Sequence, residues 1–437
     1  MIVIFCPAAN ATGGTELLHQ LGYKLGLFGF DARMYYCGDS DGRPVTHPRF
    51  VRYGVPVIDT VKDDPGNVFV YPENMVSSLG EVKEQLPLSK HVLWWLSVDN
   101  ACMIGELEKE ISDDKALIHL VQSYYAEEYV RSALSVPKER LYYLSDYLNY
   151  DFLCADTDGA REDVVLFNPR KGFERTAELI GMSNHRIRWR ALAGLAPDEV
   201  PGVLKTAKVY VDFGNHPGKD RFPREAVMCG CRIVTGRRGA AANSRDIPIP
   251  DQLKVDDDAD SERIVGMIAS LIENYDRTGE LYDEYKKIIK EEFRTFEADA
   301  LSVFAKITGT GLKGADDREH LKADVLDAVS KEDYAKAFYD LTVYRIRGYE
   351  PDEQMIILEG YTRLGIGEEE AALYLMNGLL EKDEKNYEAH LIKARSLMAL
   401  SRPGAGEELD LAARHSKGTD DEQYVADAVR MLKTGQI

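Results

Sequence analysis

The sequence is poor in cysteine, with six in 437 residues, and it has no long apolar stretch. Apolar runs such as Met1 to Cys6 and Val92 to Leu96 fall far short of the ~20 residues that a membrane helix needs, so no transmembrane segment is expected. No Lys or Arg precedes the apolar start, which speaks against an export signal. Cys6, Cys37, Cys102, Cys154, Cys229 and Cys231 sit mostly in apolar or strand-like settings and read as buried thiols, which predicts a cytosolic protein. Cys229 and Cys231 have no second cysteine pair or histidine cluster to complete a tetrahedral zinc site, so no metal is expected. Positive charge is also in deficit. With 54 Lys and Arg against 74 Asp and Glu, the formal charge of -20 excludes nucleic-acid binding through a generally basic surface. Finally, the chain lacks G-x-x-x-x-G-K-[ST] and G-x-G-x-x-G, which removes the main support for ordinary ATPase and dehydrogenase chemistry.

What is present is the composition of a folded protein, 44% hydrophobic and 29% charged, with length for about three domains at roughly 150 residues each. Short β-branched or aromatic runs alternate with amphipathic segments: Ile2 to Cys6, Ala32 to Cys37, Asn67 to Tyr71, Val92 to Leu96, Leu117 to Ser123 and Leu141 to Leu144. A second series follows Arg161, at Val164 to Phe167, Ile187 to Leu192, Val209 to Phe213, Arg232 to Thr235 and Leu253 to Val255. This alternation predicts an α/β chain with two parallel sheets covered by helices. The acidic stretch Ala155 to Asp163 is the expected hinge. Helices are expected over Tyr282 to Glu292 and Ala298 to Ile307, followed by a glycine-rich linker from Thr308. Beyond it the apolar spacing is helical, and Asp352 to Leu364 repeats weakly as Glu388 to Leu400. A small residue falls at Gly360 and Ser396, where two helices would cross, which resembles tetratricopeptide pairs. An unrelated helical bundle fits the spacing as well.

The chemistry concentrates at strand ends. The first strand runs into Gly13-Gly14-Thr15-Glu16 ahead of an amphipathic helix, a turn whose backbone amides suit an anion and which also serves as an ordinary tight turn. Residues 161 to 245 carry 16 Lys or Arg against 9 Asp or Glu, a local surplus of seven in an acidic chain. Arg170 and Lys171, then Lys219, Arg221 and Arg224, then Arg237 and Arg238 each follow a strand, where an open parallel sheet binds its ligands. Such a cluster suits a diphosphate. On the other side, Trp94-Trp95-Leu96-Ser97-Val98-Asp99-Asn100 could stack on and hydrogen-bond a sugar through Trp95 and Asn100, with Asp99 as base in an inverting reaction. Core tryptophans and an Asp99 helix cap fit equally. Glu73 is a similar, weaker candidate, and His216, beside the basic loop, is the one histidine to test for catalysis.

Phe222-Pro-Arg-Glu225-Ala226-Val-Met-Cys229-Gly230, Lys171-Gly172 and the Gly-Gly-x-Glu turn together resemble the motifs of GT-B-fold glycosyltransferases, the large retaining (family 4-like) group that includes sucrose synthases and bacterial envelope transferases. The resemblance covers about residues 1 to 310. It implies two Rossmann-like domains facing a cleft, residues 1–155 on the acceptor side and 156–310 on the nucleotide-sugar side; the tetratricopeptide-like helical tail expected at 316–437 stands outside it. It also implies a nucleotide-diphosphate-sugar donor and no cofactor, with a glycan, lipid-linked or protein acceptor and a location in the cytoplasm or at the inner membrane face. Lys171, with Asn168 and Arg170, would hold the donor diphosphate and stabilise its departure. Lys219 and Arg224 would assist, Glu225 would bind the ribose, and Gly13 and Gly14 would face the sugar-phosphate. The group usually carries a further Glu eight residues before Glu225, where this chain has Pro217. That departure keeps two alternatives open, a binding scaffold that uses its helical tail for partner proteins and a nucleotide-sugar epimerase.

Overall fold

In the computed structural model, which describes residues 1–101, 104–155, 157, 159–196 and 199–434, the two expected series of strands form two all-parallel sheets. Cys102, Asp156 and Asp158, the last two in the expected hinge, lie outside the described residues. The chain divides into two units, residues 1–26 with 30–303 and residues 27–29 with 304–437.

The first unit holds both sheets. The first sheet is built from β1 (Ile2–Pro7), β2 (Ala32–Cys37), β3 (Val57–Ile58), β4 (Val68–Pro72), β5 (Lys90–Trp95), β6 (Ile118–Val121) and β7 (Leu141–Tyr143), in the order β3-β2-β1-β4-β5-β6-β7. The second contains β8 (Glu162–Phe167), β9 (Arg188–Ala191), β10 (Ala207–Asp212), β11 (Arg232–Gly236) and β12 (Lys254–Val255), in the order β12-β11-β10-β8-β9. The helices are α1 (Gly13–Leu27), α2 (Val76–Gln85), α3 (Ile104–Asp113), α4 (Tyr124–Ser132), α5 (Tyr150–Leu153), α6 (Phe173–Ser183), α7 (Val200–Thr206), α8 (Arg221–Met228), α9 (Ser261–Glu273) and α10 (Asp283–Thr308). Strands buried on both faces need continuous apolar runs. Ile2 to Cys6 and Val68 to Tyr71 satisfy this, and Phe5, Phe69, Tyr71, Leu93 and Trp95 join one core.

Two expectations change. The edge strand β3 has only two residues, too few to leave a periodic signal in the sequence. The two helices expected at 282–292 and 298–307 are one 26-residue helix, α10, because Tyr285, Ile289, Phe293, Phe296 and Ala300 continue a single buried stripe across the supposed gap.

The second unit is all helical after the loop that follows Thr308: α11 (Arg318–Ser330), α12 (Tyr334–Ile346), α13 (Glu353–Gly365), α14 (Glu369–Leu380), α15 (Tyr387–Ala399), α16 (Ala405–His415) and α17 (Glu422–Thr434). Asp317, Asp352 and Asn386 cap α11, α13 and α15 by accepting backbone N–H bonds at 3.0, 3.1 and 2.8 Å, so alternate helices begin 35 and 34 residues apart. The helices cross tightly at Gly360, where a Cβ would come within 2.8 Å of Met376 Cε and 3.2 Å of Ile392 Cδ1. Among the described residues no helix is long and apolar enough to cross a membrane.

Candidate functional site

Strand order decides where a ligand can enter. In an open parallel sheet the crevice lies beyond the carboxyl ends of the strands, where the order reverses. The first sheet reverses between β1 and β4, which end in Pro7 and Pro72. The second reverses between β8 and β10, which lead into Lys171 and Asn215. All four residues line one cavity of about 750 Å³, so the switch points of the two sheets converge on a single cleft.

Of the candidate residues, Gly13, Gly14, Glu73, Asp99, Asn100, Lys171 and Lys219 line this cavity. Gly13 and Gly14 open α1 and let the loop 215–221 come close: a Cβ on Gly13 would lie 3.4 Å from Arg221 Nε. From the other side, a Cβ on Gly218 would meet the Leu96 carbonyl oxygen at 2.1 Å, so this loop touches the end of β5 only because residue 218 has no side chain.

Six candidates fall elsewhere, and the physical reasons differ. Trp95 is fully buried in the first sheet's core, with its indole N–H donating to His119 Nδ1 at 3.1 Å; it has no face for an acceptor. Arg224 is also fully buried, held at 2.7 Å by Asp146 and at 2.7 Å by Glu292, so it ties α8 to α10 and to the end of β7 and has no surface for a nucleotide. His216 lies in the core of the loop, 3.0 Å from Asp220 Oδ2 and 3.5 Å from Asp212 Oδ1. Burial alone would lower this imidazole, but the two carboxylates overcome it and raise it to about 9, which makes His216 a buried cation unsuited to taking a proton. Glu225 is half-buried beside Arg221 and Arg224 and is absent from the cavity wall; burial pushes its carboxyl up to about 7. Asn168 shapes the turn after β8 by accepting the Arg170 N–H at 3.0 Å, and neither Asn168 nor the exposed Arg170 lines the cavity.

The positive charge in the cleft is already paired. Lys171 bonds Asp220, Lys219 meets Glu292 at 2.7 Å and donates to Ser145 at 2.9 Å, and Arg221 meets Glu16 at 2.6 Å. Glu16 also accepts from Arg52 at 2.9 Å and from Tyr53 at 3.0 Å. Burial favours protonation of Glu16, yet Arg221 and Arg52 outweigh it and hold the carboxyl below its ordinary value. Asp99 accepts from Tyr125 at 3.0 Å and from Asn215 at 2.6 Å, a bond between the two halves of the cleft. Asp246 likewise spans the halves, accepting the Tyr124 and Tyr125 backbone N–H groups at the start of α4 at 2.8 and 2.9 Å.

The sequence pointed to Arg221 as one of the strand-end cations and to Glu16 only within the Gly-Gly-x-Glu turn, and it did not single out Asp146 or Gln122. Asp146 lies three residues beyond the end of β7, so the strand-end rule that singled out the cations could have found it. Gln122 follows β6 directly.

No family model matches the chain, and no curated protein does. Solved structures do. A glycosyltransferase from Rickettsia africae ESF-5 superposes with a TM-score of 0.53 at 10% identity, over 70% of this chain and 98% of that one. Sucrose-phosphate synthase from Thermosynechococcus elongatus gives a TM-score of 0.51 at 14% identity, over 71% and 99%. The fold is the GT-B fold. At these identities the likeness is one of architecture: two parallel sheets whose carboxyl ends face a cleft, here with an all-helical region following. In this GT-B chain the wall from the second half brings three cations, Lys171, Lys219 and Arg221. The wall from the first half brings carboxylates, amides and hydroxyls. That division of labour can hold an anionic leaving group on one side and a polyhydroxy compound on the other.

Proposed function

We propose that this protein transfers a sugar from a nucleotide-diphosphate sugar to an acceptor hydroxyl on a glycan, a lipid-linked sugar or a protein. The observation that carries this reading is the convergence of the two switch points on one 750 Å³ cleft with cations from one half and neutral or acidic polar groups from the other. Lys171, Lys219 and Arg221 exchange their carboxylate partners for the donor diphosphate and stabilise its departure, and the amides at the start of α1 add to the same field. Positive charge from side chains and helix start is sufficient for this step, so no metal is invoked. Gly13 and Gly14 leave room for the sugar-phosphate, while Asp99 and Asn100 contact the acceptor. The proposed domain limits are 1–155 for the acceptor half and 156–310 for the donor half. The helical region from 316 is tetratricopeptide-like and docks an acceptor or partner protein, and the reaction takes place in the cytosol or at the inner membrane face.

The test is a thermal-shift screen of the full chain against UDP, GDP, ADP and dTDP, followed by turnover of the matching nucleotide-hexoses. Selective stabilisation by one nucleoside diphosphate, with loss of turnover in Lys171→Ala, supports the reading. Stabilisation without turnover of any donor, the pairing of the cleft's cations being kept, favours the scaffold instead. Absence of any stabilisation overturns both.

A further inference from the structure

A second cavity of the two-sheet unit, of about 400 Å³, is walled by Arg237 just after β11, by Lys254 and Val255 of β12 and by the first turns of α9; it shares no lining residue with the cleft. Its charges are unevenly matched. Arg237 takes both carboxylates of the wall, Asp251 at 2.7 Å and Asp256 at 3.3 Å. Lys254 and the exposed Arg263 pair with no carboxylate among the described residues. Lys254 stands apart from the other buried cations. Among the described residues the buried Lys and Arg side chains are Lys24, Arg224, Arg232, Lys254 and Arg363. Lys24, Arg224 and Arg363 each bond carboxylates. Arg232 fills its fork with the Gly230 and Tyr275 carbonyls, the Thr278 hydroxyl and the Tyr275 ring. Lys254, 4% exposed, donates one N–H to the Asn243 carbonyl at 3.1 Å and has no further partner among the described residues.

We infer that this cavity binds a small organic phosphate monoester, with Lys254 and Arg263 holding the phosphate and Val255, Ile264 and Met267 carrying the apolar body. An ammonium has three N–H groups to satisfy, and burying its charge with a single carbonyl for company is costly. That cost shows in Lys254 itself, which burial, and next Arg237, lowers to about 8. Packing does not account for the residue, because a methionine would fill similar space without the charge. An anion in the cavity supplies the missing counter-charge. Near neutral pH a phosphate monoester carries a charge of about -1.5 to -2, which two unpaired cations match. The other surfaces select an ester over inorganic phosphate: Val255 and Ile264 are buried and Met267 is half-buried, giving the apolar wall with a few placed polar groups that small-molecule sites share. Because the cavity and the cleft have no wall residue in common, this ligand binds whether or not the cleft transfers a sugar.

Isothermal titration of the full chain with phenyl phosphate and with inorganic phosphate, at low salt, tests the site. Phenyl phosphate should bind about tenfold more tightly than inorganic phosphate, because only the ester reaches the apolar wall. Lys254→Met should weaken phenyl phosphate about tenfold or more, whereas Lys171→Ala, in the cleft, should leave it within about twofold. Circular dichroism checks that each variant folds. If Lys254→Met does not fold, Met267→Asp takes its place: a carboxylate in the apolar wall repels the phosphate and should weaken the ester about tenfold or more. Phenyl phosphate that fails to bind, that binds no better than inorganic phosphate, or whose affinity survives the wall variant overturns the inference. Affinity lost in Lys171→Ala and kept in Lys254→Met places the anion in the cleft and overturns it as well.

Discussion

Arg221 Nη1 lies 2.6 Å from Glu16 Oε2, joining the first residue of α8 to the first turn of α1 across the cleft. Both residues are needed elsewhere if a diphosphate is to bind: Arg221 must face the anion, and Glu16 sits where that anion would find helix-start amides. The carboxylate therefore acts as an internal competitor. Replacing it with the neutral isostere, Glu16→Gln, should strengthen nucleoside-diphosphate binding by about tenfold, the equivalent of ~1.4 kcal/mol. Arg221→Ala should weaken it by a similar factor. Isothermal titration at low and high salt checks both, and weaker binding in Glu16→Gln would show that the pair organises the site instead of blocking it.

Gly218 makes a separate steric prediction. A Cβ at this position would overlap the Leu96 carbonyl oxygen at 2.1 Å and press on Gln122 Oε1 at 3.3 Å, so Gly218→Ala must push the loop 215–221 away from the end of β5. Backbone carbonyls do not swing aside as side chains do. The displacement moves Lys219 and Asp220 with the loop, and misplacement on the order of 1 Å can cost about 100-fold in rate. Turnover should drop by at least tenfold while the unfolding midpoint changes little, because the strain is relieved by opening the cleft. Unchanged turnover would mean that the contact with Leu96 is dispensable.

The strand ends were legible in the sequence because a parallel sheet imposes long apolar runs followed by polar turns, and that pattern alone points to Gly13, Glu73, Asp99, Lys171 and Lys219. What those groups bond to was not legible. Asp212 and Asp220 turn His216 into a buried cation, and Glu292, on a helix far along the chain, pairs with Lys219; both effects depend on packing between segments that sequence spacing cannot relate. The pair Trp94-Trp95 exposes the same limit. A strand that ends in aromatics reads as core or as a sugar platform, and only the sheet's second cover of helices decides for core. The helical unit was legible as helix, and its cap spacing of 34 and 35 residues is clearer in Asp317, Asp352 and Asn386 than in the apolar positions.

Arg224 predicts a stability effect without a ligand effect. With no exposed surface and two carboxylates at 2.7 Å, it compensates Asp146 and Glu292, which are buried themselves. Removing one partner of a buried ionic cluster leaves uncompensated charge and costs about 3–5 kcal/mol. Arg224→Ala should therefore lower the unfolding midpoint of the two-sheet unit markedly, and Arg224→Lys should recover only part of it, because an ammonium cannot reproduce the two directed guanidinium contacts. Calorimetry should resolve this from the helical unit. A loss of nucleoside-diphosphate binding with no loss of stability would reassign Arg224 to the ligand.

His216 gives the pH dependence its sign. Its imidazole is raised from an ordinary 6.5 to about 9 by Asp220 and Asp212 against the effect of burial. Between those values the folded chain holds a proton that the unfolded chain has released, so the stabilisation is complete below pH about 6.5 and is lost as pH rises through about 9. The full effect is about 3 kcal/mol. Asp220, whose carboxyl His216 and Lys171 hold below its ordinary value despite burial, works the other way: its contribution is present above pH about 4 and disappears in acid. Lys254, lowered to about 8 mainly by burial and next by Arg237, regains stability as pH rises through about 8, and Glu73 and Glu225, raised by burial to about 7, lose it up to that value, so the histidine's share is the difference between the wild type and His216→Gln. Urea unfolding of the two-sheet unit from pH about 7 to about 8.5 should find His216→Gln less stable at pH about 7, with the gap to the wild type narrowing as pH rises. A gap that does not change with pH would mean that His216 is neutral in the fold.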